Sequence, residues 1–485
     1  MIGRRLEYHS QKAVLLHMDA NVRFKISLHM PSIRKVEKVV PLKMNSLYFT
    51  DVSTWVNDTF YEVEVDRLLP DGSAPEDIFR RCDFDYDDFG FPFVTGHDVL
   101  LPGDVSFQKE NEKVRFDTEE EERVYREGLR NYEKALERLN YLNSKGVTVE
   151  DHLKNLENVP VESEEDREIR SILCLESLDS GDIARSIDGF KQELLPFDCR
   201  RNNSKRQFNC YITLYTHKEE ASTIKRFEYN KKLFEASKYL NEVLFGGRAM
   251  PIRVGELSLG DYAIHRLPVG FRLQVRQLLS HARIGINHKN LPFLVENLES
   301  LDCLKVYTDD LQFNRYKSQI VRNAKKLVIE TGWRGLEGDV IFRVIGDLLN
   351  REIGIQTHST TWAEGFYTTT IQNWLNEERQ DGACLWMETG SVETGQSMAD
   401  RVLKWIETRY ERSERNERCV TVSLSNSTVM EVCSVPFKDS SWMLKLNVLK
   451  VCEFLPLSSC SSAPVSELNI FDLLHSHLPI ACSIL

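Results

Sequence analysis

Short apolar runs of strand character recur along the second half of this chain, and no other feature limits its fold as much. IRVGELSL opens at position 252, CLKVYT at 303, AKKLVIETG at 324, IGIQTHS at 353 and ACLWMETG at 383. Helical or irregular stretches, TTTIQNWLNEER among them, separate the runs. From 303 onward, a spacing of roughly 22 to 30 residues predicts strand–helix units stacked side by side, an irregular leucine-rich-repeat-like arrangement. CVTVSL, TVMEVCS and WMLKLNV then predict an antiparallel closing sheet, with Asn426 and Ser427 as a tight turn between the first two.

The first half mixes both periods. Ala13, Val14, Leu16 and Met18 lead to Phe24, Ile26 and Leu28, and Pro31 opens a new turn carrying Ile33, Val36 and Val39. Proline suits a first helical turn, where its missing N–H loses no partner. Two or three short helices are expected over Leu6 to Val39, too small an element to be stable without packing on something else. From Leu42 to Leu69 the period falls to two, and Asn57-Asp58 between TWV and TFYEVEV marks a hairpin turn. Asp117 to Ser144 reads as a long helix. Thr118 caps it, four glutamates follow near the positive end of its dipole, and Leu129, Tyr132, Leu136, Leu139 and Leu142 form one apolar stripe. The stretch to Asn203 is acidic and weakly periodic, with Pro160 to Asp166 as a linker. CYITLYTH and TIKRFEY are strand-like, and KKLFEASKYLNEVLF is a helix stopped by Gly246-Gly247.

The expected fold class is therefore α+β. A small helical element occupies 1–41, a β-rich segment 42–116 and an acidic helical region with a linker 117–203. An α/β domain follows at 204–449, then an atypical Ser-, Leu- and Cys-rich tail at 450–485.

With 41% apolar, 10% aromatic and 28% charged residues, the 485-residue chain has enough apolar surface for a packed core and is too aromatic for a disordered one. A net charge of −12 opposes general nucleic-acid binding, because neutralising phosphate needs a basic surface. No run of about eighteen apolar residues offers a membrane span, and the N-terminus lacks the apolar core of a secretory signal. The eleven cysteines form no CxxC pair; an odd number without a signal favours reduced thiols in the cytoplasm or nucleus.

Catalytic motifs are lacking. GxxxxGK[ST], GxGxxG and GxSxG do not occur, and Gly246-Gly247-Arg248 follows a helix where a phosphate cradle precedes one. No set of His and Cys has structural-zinc spacing. Asp83, Asp85, Asp87 and Asp88 can present carboxylates on one side of an extended chain, but an EF-hand glycine and terminal Glu are not in register, so they read as solvated loop acids. Accordingly no catalytic, cofactor-binding or metal residue is expected, and no cofactor. Trp362, Phe366, Tyr367 and Trp374 crowd one span and are candidate partner-binding residues, since aromatics are enriched at interface hot spots; core packing of the helix around Ile371 is the other reading.

MPSIRKVEKVVPLKMNSLYF, FEYNKKLFEASKYLNEVLFGGR, HRLPVGFRLQV and ERCVTVSLSNSTVMEV with WMLKLNVL occur in an order that resembles the nematode F-box-associated family often called F-box C, over about Leu6 to Leu449. The resemblance implies a divergent F-box-like segment at 1–41 and an F-box-associated α/β domain of unknown function at 204–449. An F-box is a three-helix element that docks a Skp-type adaptor. Of its Leu-Pro, acid, Leu, Ile-Leu pattern, Leu6 stands at the first leucine, while Glu7 replaces Pro, His9 the acid and Gln11 the next leucine. Val14 and Leu15 stand at the apolar pair, and Met18 continues that face.

The resemblance thus implies a substrate-recruiting subunit of a Skp–cullin–F-box ubiquitin ligase. Leu6, Val14, Leu15 and Met18 would meet the adaptor, and the region from Phe208 to Leu449 would hold an unknown protein target. Chemistry would belong to other subunits, with neither a membrane nor a nucleic acid as partner. An interaction scaffold that has lost adaptor binding is the second expectation, and an enzyme with an unrecognised site the third.

Overall fold

The computed structural model describes residues 7–73, 81–93, 99–107, 117–146, 172, 180–219, 221–260, 264–280, 290–308, 318–331, 345, 348, 350–357, 363–376, 379–425, 427–437 and 441–450. The chain divides into two compact units, Met1–Asn350 and Arg351–Leu485. Its helices and strands make it an α+β protein, with a parallel sheet region and an antiparallel closing part.

The first unit opens with α1 (Tyr8–Leu16), α2 (Ala20–His29) and α3 (Pro31–Val39). Asp19 caps α2 by accepting from the Asn21 and Val22 N–H groups, and Pro31 stands in the first turn of α3 as its sequence predicts. β1 (Lys43–Phe49), β2 (Ser53–Val56) and β3 (Thr59–Leu68) form an antiparallel meander. Asn57 adopts φ 53° in the two-residue turn between β2 and β3, the left-handed conformation that asparagine tolerates better than most residues.

Four short strands follow: β4 (Arg81–Cys82), β5 (Asp85–Tyr86), β6 (Pro92–Phe93) and β7 (Val105–Ser106). α4 (Glu119–Ser144) begins with a full capping box. Thr118 Oγ1 accepts from the Glu121 N–H at 3.2 Å, and the Glu121 carboxylate accepts from the Thr118 N–H at 3.1 Å. Its apolar stripe packs on α5 (Ser180–Arg201), where Ala135 and Leu139 meet Ile183 and Ile187, and Ile172, outside α5, joins the same cluster. This second helix corrects the expectation of a weakly periodic stretch. Ile183, Ile187, Leu194 and Phe197 fall on one face, and Pro196 obscures the pattern late in the helix. Pro160 to Asp166 lies outside the described residues.

The strand-like runs after Phe208 are β8 (Asn209–Lys218) and β9 (Ala221–Glu228), and the helix before Gly246 is α6 (Leu233–Phe245). Next come β10 (Ile252–Leu259), β11 (Ile264–His265), β12 (Leu273–Ser280), α7 (Leu291–Leu294), β13 (Cys303–Thr308), α8 (Gln319–Asn323) and β14 (Lys326–Thr331). The sheet runs β14-β13-β12-β10-β1-β2-β3-β8-β9. From β14 to β1 all neighbours are parallel, and from β1 to β9 all are antiparallel. β10, β12, β13 and β14 are laid down in chain order, each beside the last; β12 fills the interval between the apolar runs at 252 and 303 and was not expected, and among the described residues no helix separates it from β10.

β1 is the central joint. It pairs with β10 in the register Leu47↔Leu257 and Phe49↔Leu259, so the segment at 42–116 and the segment after 204 share one sheet. Both strands are apolar at their buried positions, Met44, Leu47 and Phe49 against Ile252, Val254, Leu257 and Leu259. Phe245 of α6 closes the core above them, with ring centroids 5.7 Å from Phe24, 5.9 Å from Phe49 and 5.5 Å from Phe271.

The second unit comprises β15 (Glu352–Thr357), α9 (Glu364–Asn376), β16 (Cys384–Ser391), α10 (Val392–Arg409), β17 (Ser413–Arg415), β18 (Cys419–Ser423), β19 (Thr428–Phe437) and β20 (Ser441–Lys450). Its strand order is β15-β16-β20-β19-β18-β17, parallel only between β15 and β16. The three closing strands are where the sequence predicts them; Asn426 lies outside the described residues. Ala399, Val402, Leu403 and Ile406 of α10 bury one face of this sheet, formed by Leu385, Met387, Val432, Leu444 and Leu446. Strand alternation sends Cys384, Trp386, Lys445, Glu431, Cys433, Cys419 and Thr421 to the opposite face.

Cys419 and Cys433 are joined as a disulfide across β18 and β19. The expectation of reduced thiols holds for Cys82, Cys199, Cys210, Cys303 and Cys384 and fails for this pair. Only the strand register brings the two together, and their separation of 14 residues gives no hint of it.

Candidate protein-interaction surface

The three N-terminal helices are held together by a small core. Leu15, Val36 and Val40 are buried, with Met18 and Ile33 packed against them. Charge completes the joint. The Arg23 guanidinium is 1% exposed and lies against the Glu37 carboxylate while also donating to the carbonyls of Pro41 at 2.8 Å and Val40 at 2.9 Å. It thereby satisfies carbonyls at the end of α3 that have no partner within the helix.

The element is built into the first unit. Lys38 of α3 donates to the Val243 and Leu244 carbonyls at the end of α6, and Arg248, just beyond that end, returns to Glu37 at 2.6 Å. Burial, reinforced by the Arg248 charge, holds the Lys38 ammonium down to about 8. On the other side Asn21 donates to the Val56 carbonyl at 2.9 Å and accepts from the Tyr61 hydroxyl at 3.0 Å.

With that core filled, much of the apolar content of α1–α3 is left over. Tyr8, Val14, Leu16, Val22, Leu28, Met30 and Val39 are each 43–48% exposed. Lys25, Arg34 and Lys35 are exposed among them, whereas the exposed acids are Glu7 and Asp19, the latter already engaged as the α2 cap and by Asn57 at 3.0 Å. The outer surface of the element is apolar and basic.

Of the four adaptor candidates, Val14 is exposed, Met18 is half-buried, and Leu15 is buried at 3%. Leu6 lies outside the described residues. Leu15 therefore holds the helices to one another. Leu16, Val22, Leu28, Met30 and Val39 join Val14 on the outside, and helical spacing alone did not single them out.

The aromatic candidates go the other way. Phe366 is 6% exposed, Tyr367 0% and Trp374 2%, while Trp362 lies outside the described residues. The Tyr367 hydroxyl donates to the Glu388 carbonyl at 3.0 Å, and the Arg379 guanidinium covers the Trp374 ring at 4.2 Å. These three are core residues of the second unit, where α9 packs on α10, and they present nothing to a partner.

The aspartate loop also needs correcting. Asp83 and Asp88 are exposed as expected, but Asp85 is 1% exposed and accepts from the Tyr229 hydroxyl and, at 3.0 Å, from the Leu233 N–H opening α6. Asp87 accepts from the N–H groups of Phe89, Gly90 and Phe91 at 2.8–2.9 Å. The two carboxylates fasten a loop and a helix start.

α6 carries a polar network that sequence reading passed over. Lys238 meets Asp104 at 2.9 Å, and Arg266 meets the same carboxylate at 2.6 Å. Asn241 accepts from Thr54 at 2.9 Å and donates to the Arg266 carbonyl at 3.0 Å, and Ser237 donates to the Asp51 carbonyl. The signal was present: Ser237, Lys238 and Asn241 share the buried face of α6 with Leu233, Leu240 and Leu244. Every one of these groups is matched by a partner, which is the signature of a structural joint.

No helix among the described residues is long and apolar enough to cross a membrane. No curated protein and no solved structure matches the chain. A family profile described as a domain of unknown function, DUF3557, matches residues 232–390, the stretch that runs from the start of α6 to the end of β16.

Proposed function

We propose that this chain is a non-catalytic interaction protein whose α1–α3 element docks a Skp-type adaptor of a cullin ubiquitin ligase while the region after Phe208 holds a protein target. The observation that carries this reading is the set of seven exposed apolar side chains on helices whose own core is already filled. Soluble surfaces expose single apolar residues routinely, but seven of them within three short helices favour a contact site on this element. The F-box C resemblance implies the adaptor class, and the three short helices over Tyr8–Val39 are compatible with it. Work of this kind needs no bond-making residue: holding two partners on one molecule raises their effective concentration.

The test is capture of a purified Skp-type adaptor by the full chain, because the helical element leans on α6, β2 and β3 and cannot be assumed to fold alone. Val14→Asp with Leu16→Asp should lower affinity at least about tenfold while leaving the melting temperature nearly unchanged, since both sites are exposed. Failure of the unaltered chain to bind any adaptor would reject the ligase assignment and leave a scaffold for a different partner.

A further inference from the structure

We propose that Cys419, Cys433 and Glu431 form a binding site for a thiophilic divalent cation of the zinc class, held by the dithiol form of the chain and excluded by the disulfide form. The two Sγ atoms and a Glu431 carboxylate oxygen all lie within 4.8 Å of one another. Strand register puts them there. Cys419 pairs with Cys433 across β18 and β19, and Glu431 lies two residues along β19 on the same face. The Ser434 N–H donates to the Arg418 carbonyl at 2.8 Å, so the adjoining cysteine pair occupies a non-hydrogen-bonded position, where strands come closest. The Cα separation of 4.1 Å agrees.

The donor set suits the cation. Two thiolates select a soft or borderline metal, and a carboxylate completes the three protein ligands of a zinc site that keeps a fourth position for water. Zinc–sulfur bonds of about 2.3 Å need the two sulfurs nearly 4 Å apart, which side-chain rotation in the dithiol supplies without moving the strands. Glu431 is half-exposed and has no hydrogen-bond or ion-pair partner among the described residues, so it is available as a ligand. Lys445 pairs with Cys433 from β20 on the same face. The cluster lies on the sheet face away from α10.

Redox state decides occupancy. Binding of the cation releases the two thiol protons. Oxidation by a small disulfide such as oxidised glutathione forms the Cys419–Cys433 bond, releases two molecules of the reduced thiol, and removes both thiolate ligands. The cation then has only Glu431 and leaves.

The experiment uses the full chain, reduced and freed of metal under anaerobic conditions, with zinc as the probe in competition with a chromophoric chelator. One zinc per chain should bind and should protect two thiols from alkylation. Prior oxidation with oxidised glutathione should abolish that binding. Glu431→Gln, which retains the thiols, should weaken binding at least about tenfold, because loss of a direct ligand exceeds the loss typical of outer-shell partners. Cobalt(II) in place of zinc should show thiolate charge-transfer absorption in the parent and none in the Cys419→Ser, Cys433→Ser chain. Equal zinc affinity in the parent and that double variant overturns the proposal, as does equal affinity in the reduced and oxidised parent. Circular dichroism of each variant confirms that the strands persist.

Discussion

The Arg23 guanidinium lies 2.9 Å from the Glu37 carboxylate, with the two side chains 2% and 0% exposed. The same carboxylate oxygen receives Arg248 at 2.6 Å. One buried anion is therefore shared by two buried cations, and it joins α2, α3 and the end of α6. Glu37→Gln leaves both guanidinium groups without a counter-charge. Breaking a buried pair in this way costs about 3–5 kcal/mol. The drop should appear as a lower urea midpoint for the full chain; a loss under about 1 kcal/mol would mean that water reaches the pair in solution.

Leu15 and Val14 are neighbours in sequence with opposite environments, 3% and 47% exposed. Leu15→Ala empties the centre of the three-helix core and should cost about 2–5 kcal/mol. Val14→Asp touches no core residue and should stay within about 0.5 kcal/mol of the parent. Chemical denaturation of the two variants side by side checks the assignment, and equal losses would contradict the orientation of α1.

In the second unit, the Trp386 ring covers Gly354 so closely that no Cβ fits between them. Gly354 sits on β15 directly beside Trp386 on β16. Gly354→Ala should push the indole from its place and cost about 1–3 kcal/mol, the usual penalty for overpacking. Trp386→Leu in the same chain removes the obstruction and should recover most of that loss. If the double variant is no more stable than Gly354→Ala, the strain lies in the backbone of β15.

What could be read in advance was local. The Asn57-Asp58 turn, the Thr118 cap and the Gly246-Gly247 stop are each set by residues within a few positions of one another, and each stands where the sequence placed it. The strands β10, β13 and β14 were legible as apolar runs, but β12, which lies between β10 and β13 in the sheet, was not read from the sequence. The pairing of β1 with β10 was not legible either, since Leu47 and Leu257 meet only after more than two hundred residues have folded between them. Burial was equally hidden at the candidate site. An aromatic cluster such as Phe366, Tyr367 and Trp374 has the same composition in a core as on an interface, and only the position of α10 decides between them. Asp85 looked like a solvent-facing acid because the N–H it accepts from opens α6, far along the chain; the bonds of Asp87 to Phe89, Gly90 and Phe91 are local, and the turn they make went unread.

The pH dependence of stability contains two opposing contributions that mutation can separate. Asp51 accepts from the Ile264 N–H at 2.9 Å, yet burial holds its carboxyl up at about 6, against an ordinary value of 3.8. Next along the chain from Ile264, His265 is 0% exposed between Phe49 and Phe107, and burial holds its imidazole down at about 4, against 6.5. Between about pH 4 and 6 the folded chain keeps the Asp51 proton that the unfolded chain has lost, so this group favours folding at low pH and its contribution disappears as pH rises through 6. His265 behaves in the reverse sense: the unfolded chain takes up a proton below 6.5 that the folded chain refuses down to about 4, so stability falls with pH through that window. The two slopes largely cancel in the parent. Asp51→Asn should uncover the histidine slope, a loss of up to about 3 kcal/mol between pH 6.5 and 4. His265→Gln should uncover the aspartate slope, so that its urea midpoint rises over the same descent. Parallel pH profiles for both variants and the parent would show that neither group titrates where burial places it.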